Sequence, residues 1–192
     1  MGRSKEFEEN TVLKRAMELF WQQGYEKTSM SELVECMGIH RKSLYDTFGD
    51  KHALYLKVID LYGEYSTAKL RAETLKAKTA YQAIQYIFDY IIEVNEDKHL
   101  GCLFVNAATE MGPWDKEVVE KTEDAFKQTE DFIVRIVREG QESGEFSNKY
   151  DAEILGEILH NTLIGLRVLA RISATKEKMH RIADFFLNLL HD

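Results

Sequence analysis

Apolar residues recur along this chain at intervals of three and four, and hardly ever in the alternation of two that a half-buried strand shows. Val12, Leu13, Ala16, Leu19 and Phe20 line one side of a first helix over 7–23, with Gly24 placed to end it. Ser29 with Glu32 three residues on reads as a capping box, and Leu33, Val34 and Met37 face a second, short helix inward. Gly38 supplies a residue that takes positive φ where that helix must stop within a few atoms of chain. Ile39 fills the corner, and Leu44 and Phe48 face inward from a third helix. Two short helices about a tight corner predict a helix-turn-helix, whose second helix lies in the major groove of DNA.

The helical rhythm continues to the end. Asp50 caps a fourth helix with Leu54, Val58, Leu61, Tyr62 and Tyr65 on its inner face, followed by a polar connector to Lys78. Thr79 and Gln82 make a second capping box, opening a helix that turns Tyr81, Ile84, Phe88, Ile91 and Ile92 inward. A loop over 95–101 precedes a short apolar helix over 102–111, stopped by Gly112-Pro113. Asp115 caps a long helix running to near Gly144. Asp151 opens another with hardly any polar face, and such a helix is buried on more than one side. Thr175 caps the last. The pattern predicts an all-α fold: a three-helix head over 1–52, joined by a fourth helix to a helical body over 53–192. A single proline in 192 residues fits that build.

Charge sharpens the functional reading. His40, Arg41 and Lys42 crowd the first turn of the third helix, where the macrodipole already presents positive partial charge. The arrangement opposes stability unless an anion comes there, and free N–H groups, dipole and cations then converge on phosphate. Residues 1–57 carry nine Lys+Arg and nine Asp+Glu, so the whole net charge of −8 lies in the remainder. An acidic body behind a neutral head is repelled from DNA unless presented head first.

Other chemistry is sparse. Cys36 and Cys102 have neither metal-ligand spacing nor a disulfide framework, and the six histidines are scattered. No metal or cofactor is expected. No run is apolar and long enough to span a bilayer, and MGRSKEFEEN has no secretory hydrophobic segment, which predicts a cytoplasmic address without membrane contact. Glu110 reads as an isolated carboxylate and His160 as a core or interface histidine, so a small helical enzyme has no catalytic constellation behind it. A helical ligand carrier or adaptor without DNA binding is the other alternative.

The run VLKRAMELFWQQGYEKTSMSELVECMGIHRKSLYDTFGDKHAL, with Phe20, Gly24, Thr28, Gly38, Leu44-Tyr45, Phe48 and Lys51 as its strongest pieces, resembles the DNA-binding domain of the TetR family of bacterial transcriptional repressors. The resemblance implies that Tyr45 and Lys51 contact phosphates, and that Arg41, Lys42 and Ser43 reach base edges or nearby phosphates. Thr28, Ser29 and Ser31 would meet the DNA backbone from the preceding helix. His40 stands where the family often has a serine cap and Lys42 where it often has a small residue, so the resemblance carries over DNA binding but no operator sequence. The resemblance further implies a bacterial one-component repressor: a homodimer, built through its last two helices, that binds a palindromic double-stranded operator and is released by a small-molecule effector.

For the effector, Tyr62, Tyr65, Phe88, Phe104, Asn106 and Trp114 supply rings and a polar group on neighbouring segments of the body, as an apolar pocket for a drug-sized ligand needs. No cluster of cations accompanies them, which predicts a neutral or cationic, partly aromatic molecule.

Overall fold

The computed structural model describes residues 2–93, 100–172 and 174–191. Among these, all regular structure is helical: α1 Gly2–Gln23, α2 Met30–Met37, α3 Arg41–Phe48, α4 Lys51–Thr74, α5 Ala80–Glu93, α6 Leu103–Met111, α7 Lys116–Glu142, α8 Ala152–Arg171 and α9 Lys176–Leu189. The loop expected over 95–101 lies, except for Leu100 and Gly101, outside the described residues. The first helix starts at Gly2, earlier than apolar spacing predicts.

Most helix ends follow the local chemistry. At α2 the capping box is complete, with the Glu32 N–H donating to Ser29 Oγ at 3.2 Å and the Ser29 N–H donating to Glu32 at 2.8 Å. Gly38 closes α2 in the left-handed region at φ 69°, donating to the Val34 and Glu35 carbonyls. Asp115 accepts the Glu117 and Val118 N–H groups, both at 3.1 Å. The start of α5 departs from expectation. Thr79 Oγ1 accepts from the Gln82 N–H, but the Gln82 side chain takes the Lys78 N–H instead of completing the box. Glu145, from the segment after α7, accepts the Ala80 and Tyr81 N–H groups at 2.9 and 3.0 Å. A distant carboxylate caps this helix. Burial alone would raise the Glu145 carboxyl, but the Thr79 hydroxyl and these N–H groups outweigh it and hold it below the ordinary value.

Two apolar clusters organise the molecule. The first joins the head to the front of the body: Phe20, Leu33, Leu44 and Phe48 pack in one continuous set with Leu54, Tyr55 and Tyr62 of α4 and Leu103, Phe104 and Ala107 of α6. The second holds the rest of the body together, from Ile84 and Phe88 through Ile133 and Val137 to Leu159, Leu166 and Leu187. Helices α4 and α6 thus share one core with the head.

The unusual helix α8 is half explained by this packing. Leu155, Leu159, Leu163 and Leu166 are buried, while Ile154, Ile158, Val168 and Ile172 are exposed. These four recur along the helix on one outward face, and Phe185 of α9 is exposed as well. Among the described residues, no helix is long and apolar enough to cross a membrane.

Candidate nucleic-acid interface and the cleft behind it

The corner that carries α3 is fixed from below. Leu44 and Phe48 are buried, so the opposite side of α3 must face out. Arg15 of α1 donates to the Met37 carbonyl at 3.3 Å, pinning the end of α2. A Cβ on Gly38 would come 3.1 Å from that guanidinium, so the tight corner and the brace use the same space. Arg41, Lys42, Ser43 and Tyr45 are all exposed on α3, with His40 exposed at its N-cap and making no side-chain capping bond. Orphan N–H groups and cations therefore coincide at one free helix end. The Arg41 guanidinium lies 5.9 Å from the Tyr45 ring centre, and the Lys51 ammonium lies 4.2 Å from that of Tyr25.

Ser29 and Ser31 are exposed beside this surface. Thr28 is not. It is 1% exposed, and its hydroxyl donates to the Gly24 carbonyl at 2.6 Å while accepting from Gln23 at 3.2 Å. With hydroxyl and surface both spent, Thr28 sets the corner between α1 and α2, and the residues around it face outward.

Three contacts tie head to body, and sequence reasoning missed them. Glu110 of α6 accepts the backbone N–H groups of Tyr25 and Glu26, both at 2.9 Å. This supposedly isolated carboxylate thus clamps the α1–α2 turn, where Gly24 sits at φ 87° and a Cβ would come 2.8 Å from it. Arg171 of α8 donates to the Trp21, Gln22 and Leu100 carbonyls, satisfying the open C-terminus of α1. His52 of α4 lies 2.6 Å from Asp115, the cap of α7. Burial would raise the Asp115 carboxyl, but the Val118 N–H and His52 more than offset it, so it sits low. Partners separated by 60 to 150 residues leave no spacing signal.

Behind the head, a cleft of about 500 Å³ opens between α4 and α7, with α6 and α8 completing it. A small chamber of about 40 Å³ adjoins its inner end, and the two share Tyr62, Ser66, Thr67, Cys102, Thr129 and Arg167. Of the residues expected at a ligand site, Tyr62 and Phe104 line the cleft and Tyr65 lines the chamber. Tyr62 meets the Phe104 ring edge-on at 5.2 Å and the Trp21 ring at 4.9 Å. Phe88, Asn106 and Trp114 are not brought there. Phe88 fills the second core, and the Asn106 amide is satisfied by the Leu100 carbonyl at 3.1 Å. Trp114 is 85% exposed, because the turn after Gly112 throws its ring outward. Trp21, Phe126 and Arg167 join the cleft instead, from helices on which no pocket residues were expected.

Two buried groups stand out, Trp21 in the chamber lining and His160 packed against the Phe126 wall. Trp21 is 9% exposed, and its indole N–H has no acceptor, a loss of about 1–3 kcal/mol for a buried donor. His160 is buried against the Phe126 ring, with one ring nitrogen 3.3 Å from Glu130 and the other without a partner. Burial lowers its pKa below 6.5, and the nearby Arg167 charge acts the same way against the pull of Glu130. Among the described residues, no group of His, Cys, Asp and Glu could hold a metal ion.

An exposed recognition helix on a braced corner, backed by a cleft that shares α4 with it, is the architecture of a helix-turn-helix transcriptional regulator. The chain belongs to the TetR family. Residues 12–58 match the model of bacterial regulatory proteins of the tetR family, and residues 80–186 match the tetracyclin repressor-like C-terminal domain. The HTH-type transcriptional regulator YezE of Bacillus subtilis (strain 168) is 32% identical over 193 residues, covering 99% of this chain and 100% of YezE. The HTH-type transcriptional repressor ComR of Escherichia coli (strain K12) is 31% identical, covering 98% of this chain and 91% of ComR. A cysteine mutant of the TetR family regulator CifR, solved in complex with a 26 bp double-strand operator DNA, superposes with a TM-score of 0.83 at 25% identity, over 94% of this chain and 95% of CifR. A TetR regulator from Chloroflexus aurantiacus shares the fold at a TM-score of 0.87 and 24% identity, over 98% of this chain and 96% of that one. These relatives are regulators of transcription and not enzymes.

Proposed function

We propose that this chain is a repressor that grips a palindromic operator as a homodimer and lets go when a small molecule enters the cleft. The observation that carries the DNA contact is the exposed cationic turn of α3 at an uncapped helix N-terminus. Arg41, Lys42 and Ser43 face base edges or adjacent phosphates, with His40 at the same end. Tyr45 and Lys51 hold the phosphates that set register, and Ser29 and Ser31 meet the backbone from α2. The operator complex of the similar CifR and the repressor name of ComR support the reading. As a working division, residues 1–52 form the DNA-binding unit and 53–192 the effector-binding and dimerising body. Because its ligand is chromosomal DNA, the protein works in the bacterial cytoplasm.

The outward apolar face of α8, with Phe185 of α9, supports assembly through the last two helices, since monomers rarely leave such a stripe in water. The cleft has the size of a drug-ligand site and rings to match. Its occupant touches α4 directly, and α4 leads into the head. Gel-shift titration of promoter fragments with the full chain tests the repressor reading. Sequence-selective binding is expected, and uniform affinity for all duplexes would overturn it.

A further inference from the structure

We propose that the cleft is built around Arg167 to receive a ligand carrying a single carboxylate on an aromatic frame. This deepens the effector reading above and rests on it. Arg167 projects from α8 and lines both the chamber and the outer cleft. Its neighbours in charge are already committed. Lys121, the other cleft cation, is 2.6 Å from Asp60, and Arg171 one turn on spends its guanidinium on three carbonyls. Among the described residues, the Arg167 guanidinium has neither a hydrogen bond nor an ion pair.

Donors without a partner line the chamber. The guanidinium offers five N–H groups, and the buried Trp21 N–H beside the chamber has no acceptor either. The Ser66 and Thr129 hydroxyls already donate to the Gly63 and Ala125 carbonyls and keep lone pairs only. The positive field of Arg167 reaches Tyr62 and Tyr90, whose phenols burial pushes up, Tyr90 to about 12. No carboxylate lines the chamber among the described residues. A planar carboxylate matches the guanidinium fork, giving two parallel bonds that an amide or an ammonium group cannot give.

The outer cleft sets the rest of the molecule. Glu64 and Asp124 stand exposed around it, and they disfavour a second negative charge on the ligand. Tyr62, Phe104 and Phe126 supply flat apolar walls for a ring system. The neutral or cationic effector expected from sequence followed from the lack of cations on the segments carrying the rings. Arg167 enters from α8, a helix read there only as buried and dimerising.

Full-length protein without DNA is titrated calorimetrically, and by thermal shift, with benzoate, salicylate, cinnamate, indole-3-acetate and 1-naphthoate, each beside its primary amide. At least one acid is expected to bind, with its amide weaker by about 10- to 100-fold, the range for losing charge-assisted hydrogen bonds. Arg167→Gln should weaken the acid by a similar factor and leave the amide unchanged, and Arg167→Lys should recover part of the loss. The inference is overturned if acids and amides bind alike, if Arg167→Gln keeps the acid affinity, or if none of the acids binds the parent protein. Gel shifts on the same preparations separate the two readings. Intact operator binding with no acid selectivity defeats only the ligand inference, whereas no selective DNA binding by the parent defeats the regulator reading.

Discussion

Lys42 and Lys51 lie at two parts of one proposed contact and should report different things. Lys42 is fully outward on α3 in a turn where its charge opposes the macrodipole. Lys42→Ala is therefore expected to weaken the operator by about 1–3 kcal/mol while leaving the melting temperature unchanged or slightly higher. Lys51 sits at the start of α4 over the Tyr25 ring, aimed by that ring and not by a base edge. Lys51→Ala should weaken all duplexes alike and lower the salt slope by about one unit. Binding titrations across salt concentrations, with melting curves alongside, check both. His160 gives a pH signature. The unfolded chain takes up this proton near 6.5 and the folded chain resists it, chiefly through burial, with Arg167 adding to the resistance and Glu130 opposing it. Between the two pKa values the unfolded state binds more protons, so stability is full above 6.5 and declines as pH falls below it. His160→Gln should flatten that decline in denaturant titrations at stepped pH.

At the scale of elements, Glu110 is the part of α6 that holds the head. Glu110→Gln keeps the shape but removes the charge and one of the two acceptors. A loss of about 1–2 kcal/mol in stability is expected, with faster amide exchange at Tyr25 and Glu26 and weaker operator binding. Unchanged exchange at those two amides would show that the clamp does not hold the turn. This clamp also marks where sequence reading ends. Ser29, Glu32, Gly38 and Asp115 were legible as caps because their partners lie within one helical turn. Glu110, Glu145 and Arg171 act on backbone groups far away in the chain, and such pairs leave no periodicity to read. Thr28 was legible as important but not as buried, since a corner threonine and a phosphate-binding one look alike in sequence. The lining of the cleft was legible only in part: Tyr62 and Phe104 meet in it across α4 and α6, with Tyr65 at the adjoining chamber. Trp114 and Phe88 show that an aromatic residue near a junction is as often flung outward or used as core.

For the whole molecule, the division of charge and of apolar surface gives one consistent picture. The acidic excess lies behind the neutral head, and the uncovered apolar stripe lies along α8. Ile158 is in that stripe and outside the monomer core, so Ile158→Glu should spare the fold and abolish dimers in sedimentation at micromolar concentration. Operator affinity should fall with it, because one head then meets one half-site. The most direct test of the account is selection of bound sequences from a randomised duplex pool by the full-length protein, followed by measurement of the bound stoichiometry. The account predicts an inverted repeat with half-site centres about 34–36 Å apart, one helical turn or a multiple of it, held by an even number of chains. Enrichment of no motif, or of a single half-site held by one chain, would contradict it.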